Sequence, residues 1–281
     1  AHTFLTGERH GYYADFGGVR RLARVLERPF LYAGDYSPSR GRKHGAPPDG
    51  LGGDRFVVCL QNHDQVGNRA TGDRLAALLG SAARRRQAAC LLLLAPHLPL
   101  LFMGEEYGEA NPFPFFCSFE DPHLAQAVRD GRRREFADFA WQGDVPDPQA
   151  EETFASARLS WSWPEGGGRA GLRRLHQDLL AARREWPALR DFTTRSVRVL
   201  AEDGDGALME LVRGGEDAIQ AFFNFGGRCR PLHERRSGGW APLFSSEAAR
   251  YGGGRADATR VENLLPFECV VFGPPEWKTF R

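Results

Sequence analysis

The chain has 281 residues, 42% of them hydrophobic, which is enough for a sizeable core, and 37 Lys+Arg against 36 Asp+Glu leave a net charge of +1. That balance gives no basic stripe for nucleic acid. The longest apolar run, Ala88–Phe102, is broken by Pro96, His97 and Pro99 and falls short of the ~20 residues of a membrane span. Five scattered cysteines, Cys59, Cys90, Cys117, Cys229 and Cys269, lack metal-ligand spacing and are expected to be buried free thiols in a reducing cytoplasm.

In chain order, Ala1-His2-Thr3-Phe4 has neither the basic end nor the apolar core of a signal peptide and reads like the middle of a domain. The stretch from Tyr12 to Gly18 is a loop leading into a helix over Val19–Leu26, whose apolar residues Val19, Leu22, Val25 and Leu26 share one face. Pro29 ends that helix, and Pro29–Tyr32 is a candidate strand. Tyr36–Gly53 has no periodicity and reads as a long loop of the kind that often carries function.

Phe56–Leu60 is nearly all apolar and reads as a strand buried on both faces, as in a parallel sheet. It ends in Asn62-His63-Asp64-Gln65, and so many polar side chains at the end of a dry strand are costly unless they meet a polar ligand or each other. A binding site and a loop with a satisfied His63–Asp64 pair are equally good readings of that pattern. Asp73–Leu79 suits a short helix, Ser81 a cap, and Ala82–Ala95 a longer helix stopped by Pro96. Leu98–Met103 is a second buried strand, again ending in polar residues, Glu105, Glu106 and Glu109. Strand, helix and strand form one βαβ unit.

Asn111–Cys117 is an aromatic loop whose rings, Phe113 and Phe116 among them, suit either the flat faces of sugars or a hydrophobic plug. Asp121-Pro122 starts a helix marked by Leu124, Val128, Phe136 and Phe139. The runs Arg84-Arg85-Arg86 and Arg132-Arg133-Arg134 read as solvated helix faces. A Pro/Asp loop follows at Gly143–Gln149, then a short segment over Phe154–Trp163, a Gly166–Gly168 spacer, and an amphipathic helix with Leu172, Leu175, Leu179, Leu180 and Trp186, ended by Pro187. From Ser196 short alternating segments separated by Asp-Gly and Gly-Gly turns read as a small antiparallel β-sandwich. The boundary falls near residue 194.

Asn62-His63-Asp64 after a hydrophobic strand resembles the fourth conserved region of the α-amylase family of glycoside hydrolases. The longer run to Arg69 is similar to the branch holding maltooligosyltrehalose trehalohydrolases and glycogen branching enzymes, and the aromatic loop with residues 127–136 favours the trehalohydrolases. Gly104-Glu105-Glu106-Tyr107-Gly108 matches the family region after the last barrel strand. The resemblance implies an α/β fold in which residues 1–194 are the C-terminal part of a (β/α)8 TIM barrel and residues 195–281 a β-sandwich domain. It implies a retaining glycosidase that releases trehalose from maltooligosyltrehalose with no metal or other cofactor; from composition, no nucleic-acid or membrane partner is expected.

Glycoside hydrolysis needs two carboxyl groups flanking an oxocarbenium-like transition state. By resemblance Asp64 is a third carboxylate that grips the reacting sugar's hydroxyls, His63 donates to the same ring, and Asn62, Gln65, Arg69, Glu106, Phe113 and Phe116 are candidate substrate contacts, with bracing of the motif an equal reading for Asn62 and Gln65. The family's nucleophile and acid are found nowhere in the chain; Val19-Arg20-Arg21-Leu22-Ala23 has no Asp where one is needed. The expectation is therefore a C-terminal segment, inactive alone, that works with the N-terminal part of the same enzyme. A branching enzyme and a noncatalytic maltooligosaccharide-binding protein are the alternatives.

Overall fold

The computed structural model describes residues 1–9, 13–138, 145–232 and 239–277. Tyr12, Phe139 and the start of the 143–149 loop, all named above, lie outside the described residues. The chain runs α1 (His2–Thr6), α2 (Val19–Glu27), β1 (Asp35–Ser37), β2 (Arg42–His44), β3 (Val57–Cys59), α3 (His63–Gly67), α4 (Leu75–Leu78), α5 (Ala82–Leu94), β4 (Leu98–Leu100), α6 (Pro122–Asp138), α7 (Glu151–Ser156), α8 (Gly168–Glu185) and α9 (Pro187–Arg190). It continues through β5 (Arg195–Asp203), β6 (Gly206–Arg213), β7 (Ile219–Asn224), β8 (Arg230–Pro231), β9 (Ala241–Ser245), β10 (Asn263–Leu264) and β11 (Cys269–Gly273).

Packing centres on α5. Ser81 caps it by accepting from the Arg84 N–H, and every residue from Arg86 to Leu94 is buried. A helix apolar all round belongs inside a protein rather than on its surface. Its two buried polar residues are satisfied: Arg86 forms a bidentate pair with Glu247, and Gln87 donates to the Asn224 carbonyl. Its C-terminal carbonyls are capped from afar. Arg183 donates to Leu93, Ala95 and His97, and buried Arg213 donates to Leu94 and Ala95.

The C-terminal sheet has the order β5-β6-β7-β11-β9, with every pairing antiparallel. Its strands alternate with period two. Met209, Leu211, Ala221, Phe223, Cys269 and Val271 join the main core with α2, α5 and α8. Leu208, Phe222, Val270 and Phe272 point the other way, into a smaller core with Leu232, Val261 and Leu264 under the β8–β10 pair. With both faces covered, the strands read as nearly continuous apolar runs.

The expected βαβ unit is present: β3 pairs in parallel with β4, Val57 opposite Leu98 and Cys59 opposite Leu100, with α5 between them in sequence. Burial on both faces is not. Val58 packs on the main core, but Val57 is 66% exposed, Leu98 38% and Leu100 46%. The pair is a two-stranded sheet, so only the face turned to the helices is covered. Pro29–Tyr32 is not a strand. Its rings are used in packing: Phe30 meets Phe56 edge-on, and the Tyr32 hydroxyl donates to Asp15.

Three other expectations are corrected. Overlapping 36–53 is a hairpin, β1 against β2, whose turn passes Gly41 at φ 60°. Local periodicity misses it because a distant carboxylate holds it: Asp15 accepts from the Ser37 hydroxyl and from the Ser39 N–H and hydroxyl. The arginine runs are solvated faces only in part: Arg133 and Arg134 are exposed, and the other four arginines are engaged. Arg86 is buried, Arg84 donates to the Leu5 carbonyl and Arg85 to Ala76, and Arg132 lies between the Phe115 and Phe136 rings. Only Cys90 and Cys269 are fully buried thiols; Cys229, in the turn before β8, is exposed.

Candidate functional site

The site is built where β3 and β4 end. After Cys59 the chain leaves the strand, and Asn62, in extended backbone, caps α3 by accepting the Gln65 N–H at 2.8 Å. An N-cap Asn satisfies one of the donors a helix start leaves free. The cap fixes the turn that presents the next two side chains. His63 and Asp64 both point to solvent, 72% and 77% exposed, with Nε2 and Oδ1 3.6 Å apart. Asp64 sits in the first turn of α3, where the helix dipole favours a negative charge. A loop built only to satisfy a His–Asp pair would close that distance and bury it. This one leaves both groups turned outward.

Behind the exposed pair is a buried brace. The Gln61 side chain is closed from solvent, its Oε1 accepting the Leu75 N–H at 2.9 Å and its Nε2 donating to Glu105 Oε2 at 3.2 Å. Glu105 also accepts from the Phe102 N–H. One amide thus ties the end of β3 to the end of β4 and to the start of α4. Burial pushes the Glu105 carboxyl up to about 7, against the pull of the Gln61 and Phe102 hydrogen bonds, and neighbouring Glu106 adds to the rise. Glu106 is half-buried on the same single turn.

Glu109 contrasts with it. Burial works to raise its carboxyl, but the N–H groups of Asn111 and Ser160 and the hydroxyls of Ser160 and Tyr107 outweigh that and hold it at about 2. Its oxygens accept from Ala110 N at 2.7 Å, Asn111 N at 2.9 Å and Ser160 N at 2.6 Å. It is an anchor for the loop after β4, with no lone pair to spare for a ligand.

The remaining candidates separate by surroundings. Gln65 lines a cavity of about 370 Å³ that also touches Tyr13, Phe16, Val58 and His97. Arg69 is occupied: its guanidinium grips Glu8 with two bonds of 2.9 and 2.8 Å, and Glu8 also holds His2. Phe113 and Phe116 belong to a chain of edge-on rings, Phe102–Phe113–Phe116–Phe154, with centroids 5.2–5.7 Å apart. Arg74, buried beneath it, faces the Phe102 ring and donates to the Met103 and Asn111 carbonyls. Two residues that pattern reading missed join these parts. Gln61 precedes the polar motif by one position. Arg132 carries the aromatic loop and α6 to the end of α3, donating to the Gly67 carbonyl at 2.9 Å. The sequence signal for both was slight: a polar residue at a strand end, and one arginine of three at a helical spacing from Phe136.

No protein-family model matches the chain. Among curated proteins it is similar to a malto-oligosyltrehalose trehalohydrolase of Brevibacterium helvolum, 46% identical over 210 residues, covering 74% of this chain and 36% of the relative. A second, from Rhizobium sp. (strain M-11), is 41% identical over 275 residues, covering 96% and 44%. Among solved structures, one assigned as an alpha amylase from Salmonella typhimurium superposes with a TM-score of 0.78 at 34% identity, covering 97% of this chain and 45% of that one. The chain thus spans less than half the length of these relatives and corresponds to their C-terminal part.

Proposed function

We propose that this chain, which belongs to the maltooligosyltrehalose trehalohydrolases of the α-amylase family, supplies the sugar-gripping half of a glycosidase that cleaves the α-1,4 bond next to the terminal trehalose of maltooligosyltrehalose. Residues 1–194 form the closing part of a (β/α)8 barrel and residues 195–281 a β-sandwich domain. The parallel β3–α5–β4 unit supports the first assignment and the two-sided antiparallel sheet the second. The N-terminal part of the enzyme covers the exposed strand residues Val57, Leu98 and Leu100 and brings the nucleophile and the acid. A cytoplasmic location fits the free thiols.

One observation carries the reading: a capped turn at a strand end presents His63 and Asp64 together to solvent, backed by a buried polar brace. In the reaction Asp64 accepts hydrogen bonds from two hydroxyls of the sugar that becomes oxocarbenium-like, and these bonds tighten as positive charge develops. His63 donates to the same ring and limits its orientations. Asn62 acts by holding the turn. Gln65 and Glu106 flank the neighbouring sugar. Arg69, spent on Glu8, acts on the substrate only through the position of α3, and Phe113 and Phe116 support the rim from beneath.

In the complete enzyme, Asp64→Asn keeps the fold and lowers trehalose release by roughly a thousandfold, the scale of losing one transition-state contact. Turnover within tenfold of wild type would sink the assignment. The products separate this activity from branching: free trehalose in one case, new α-1,6 linkages in the other.

A further inference from the structure

The brace behind Asp64 does more than fill space. Gln61 has both ends of its amide committed, one to the Leu75 N–H and one to Glu105. Its position therefore follows that of the Glu105 carboxyl, and Asn62-His63-Asp64 follows Gln61 directly. Glu105 is itself divided. Oε2 accepts from Gln61 and from the Phe102 N–H, while Oε1 is shut off from solvent without a hydrogen-bond partner among the described residues. Glu105 lines a cavity of about 30 Å³ together with Arg74 and His176. Arg74 Nη2 and His176 Nε2 are likewise buried and unpartnered. The space suits one water, which needs two to four polar partners to stay.

We propose that Glu105 is a positioning residue for the Asn62-His63-Asp64 turn, holding it through Gln61, and that the proton it gains or loses at Oε1 sets how firmly that turn is held. The proposal rests on the functional reading above. The division of labour between the two oxygens is what permits it: Oε1 takes up a proton while Oε2 keeps its two donors. The titratable and charged groups around the carboxyl are Arg74, Arg85, Glu106, Glu109, His176 and Cys59, with Arg85 donating to the Ala76 carbonyl. Of these, hydrogen bonds hold Glu109 at about 2, and burial lowers the basicity of His176. Glu105 itself, raised to about 7 with Oε1 unpartnered, is placed to change charge near neutrality. Ionised, it puts a negative charge beside Glu106 and draws on Arg74, which otherwise holds the Met103 and Asn111 carbonyls. Neutral, it leaves Arg74 to the loop and serves Gln61 alone.

The test is the pH dependence of trehalose release by the full-length enzyme, as kcat and KM separately, for wild type, Glu105→Gln and Gln61→Leu. Glu105→Gln locks the neutral form and should remove an inflection in kcat near neutrality while keeping the acid-side kcat within about threefold. Gln61→Leu should lower kcat at least tenfold with KM within about twofold, because a loosened Asp64 loses transition-state rather than ground-state contacts. Superimposable profiles for wild type and Glu105→Gln, or an unchanged kcat in Gln61→Leu, would overturn the proposal. Infrared difference titration of the same samples gives an activity-independent reading: a protonated-carboxyl band lost near neutrality in wild type and missing from Glu105→Gln is expected, and its absence from wild type also overturns the proposal. A wild-type enzyme that shows the band but releases no trehalose would sink the functional reading instead.

Discussion

Glu105 also sets a stability experiment whose sign follows from its surroundings. Its carboxyl is raised from the ordinary 4.5 to about 7, with burial as the largest cause. A carboxyl raised in this way binds its proton more tightly folded than unfolded. Its contribution is neutral below about pH 4.5, grows steadily more unfavourable from there to about pH 7 as the unfolded chain ionises and the folded one does not, and is constant above. At 1.36 kcal/mol per pH unit the gap from 4.5 to about 7 is worth about 3.4 kcal/mol as an upper limit. Glu105→Gln has no charge to bury, and its amide oxygen can still accept from Gln61 and Phe102. Any change in hydrogen-bond quality shifts the variant equally at all pH values. The quantity to measure is therefore a difference of differences: urea-unfolding free energies of wild type and Glu105→Gln at pH 5 and pH 8. The variant should gain on wild type by about 1.5–3 kcal/mol between the two, since other groups titrate alike in both proteins and cancel. A gain below about 0.5 kcal/mol would show that the carboxyl is hydrated or paired in the folded chain, and that burial does not govern it.

Other expectations follow from the same geometry. The bidentate Arg69–Glu8 pair, with both side chains largely covered, should show a coupling of about 1–2 kcal/mol in a double-mutant cycle with Arg69→Gln and Glu8→Gln. Glu8 has burial raising its carboxyl, but Arg69 and His2 together hold it below the ordinary value, so that coupling should be present at neutral pH and fade as pH falls through the acid range. Gly72→Ala should cost about 1–3 kcal/mol in chemical denaturation, because Gly72 has φ 70° and a Cβ there would lie 2.2 Å from Pro114 N in the aromatic loop. Asp15→Ala should strip hydrogen-exchange protection from Asp35–His44 while leaving α5 protected; equal loss in both would mean the hairpin is not held by that carboxylate.

What the sequence disclosed, and what it hid, divides by the range of the interactions involved. The βαβ unit and the C-terminal strands were legible because their pattern is local: Val57–Cys59 and Leu98–Leu100 are short apolar runs, Ser81 and Pro96 bracket α5, and β6 and β7 lie between turns. The polar cluster at Asn62–Gln65 was legible for the same reason, though the N-cap and the short helix His63–Gly67 that present it were not read from the sequence. The β1–β2 hairpin was not, because the carboxylate that fixes it is 22 residues from Ser37. The first arginine run misled for a related reason. A triplet of like charges says solvent until the partners are known, and Glu247 stands 161 residues from Arg86. The brace behind the site is the sharpest case. Gln61 and Glu105 are 44 residues apart, and each alone looks like an ordinary polar residue at a strand end. Only the parallel register of β3 with β4 puts their ends side by side, and only that adjacency turns one amide and one carboxyl into the support for Asp64. Residues that present chemistry are legible from short motifs, whereas residues that hold the chemistry still are set by topology. The less exposed member of a strand-end polar cluster is therefore where function should be probed next, and in this chain that points to Gln61 and Glu105 ahead of Arg69 or the aromatic rim.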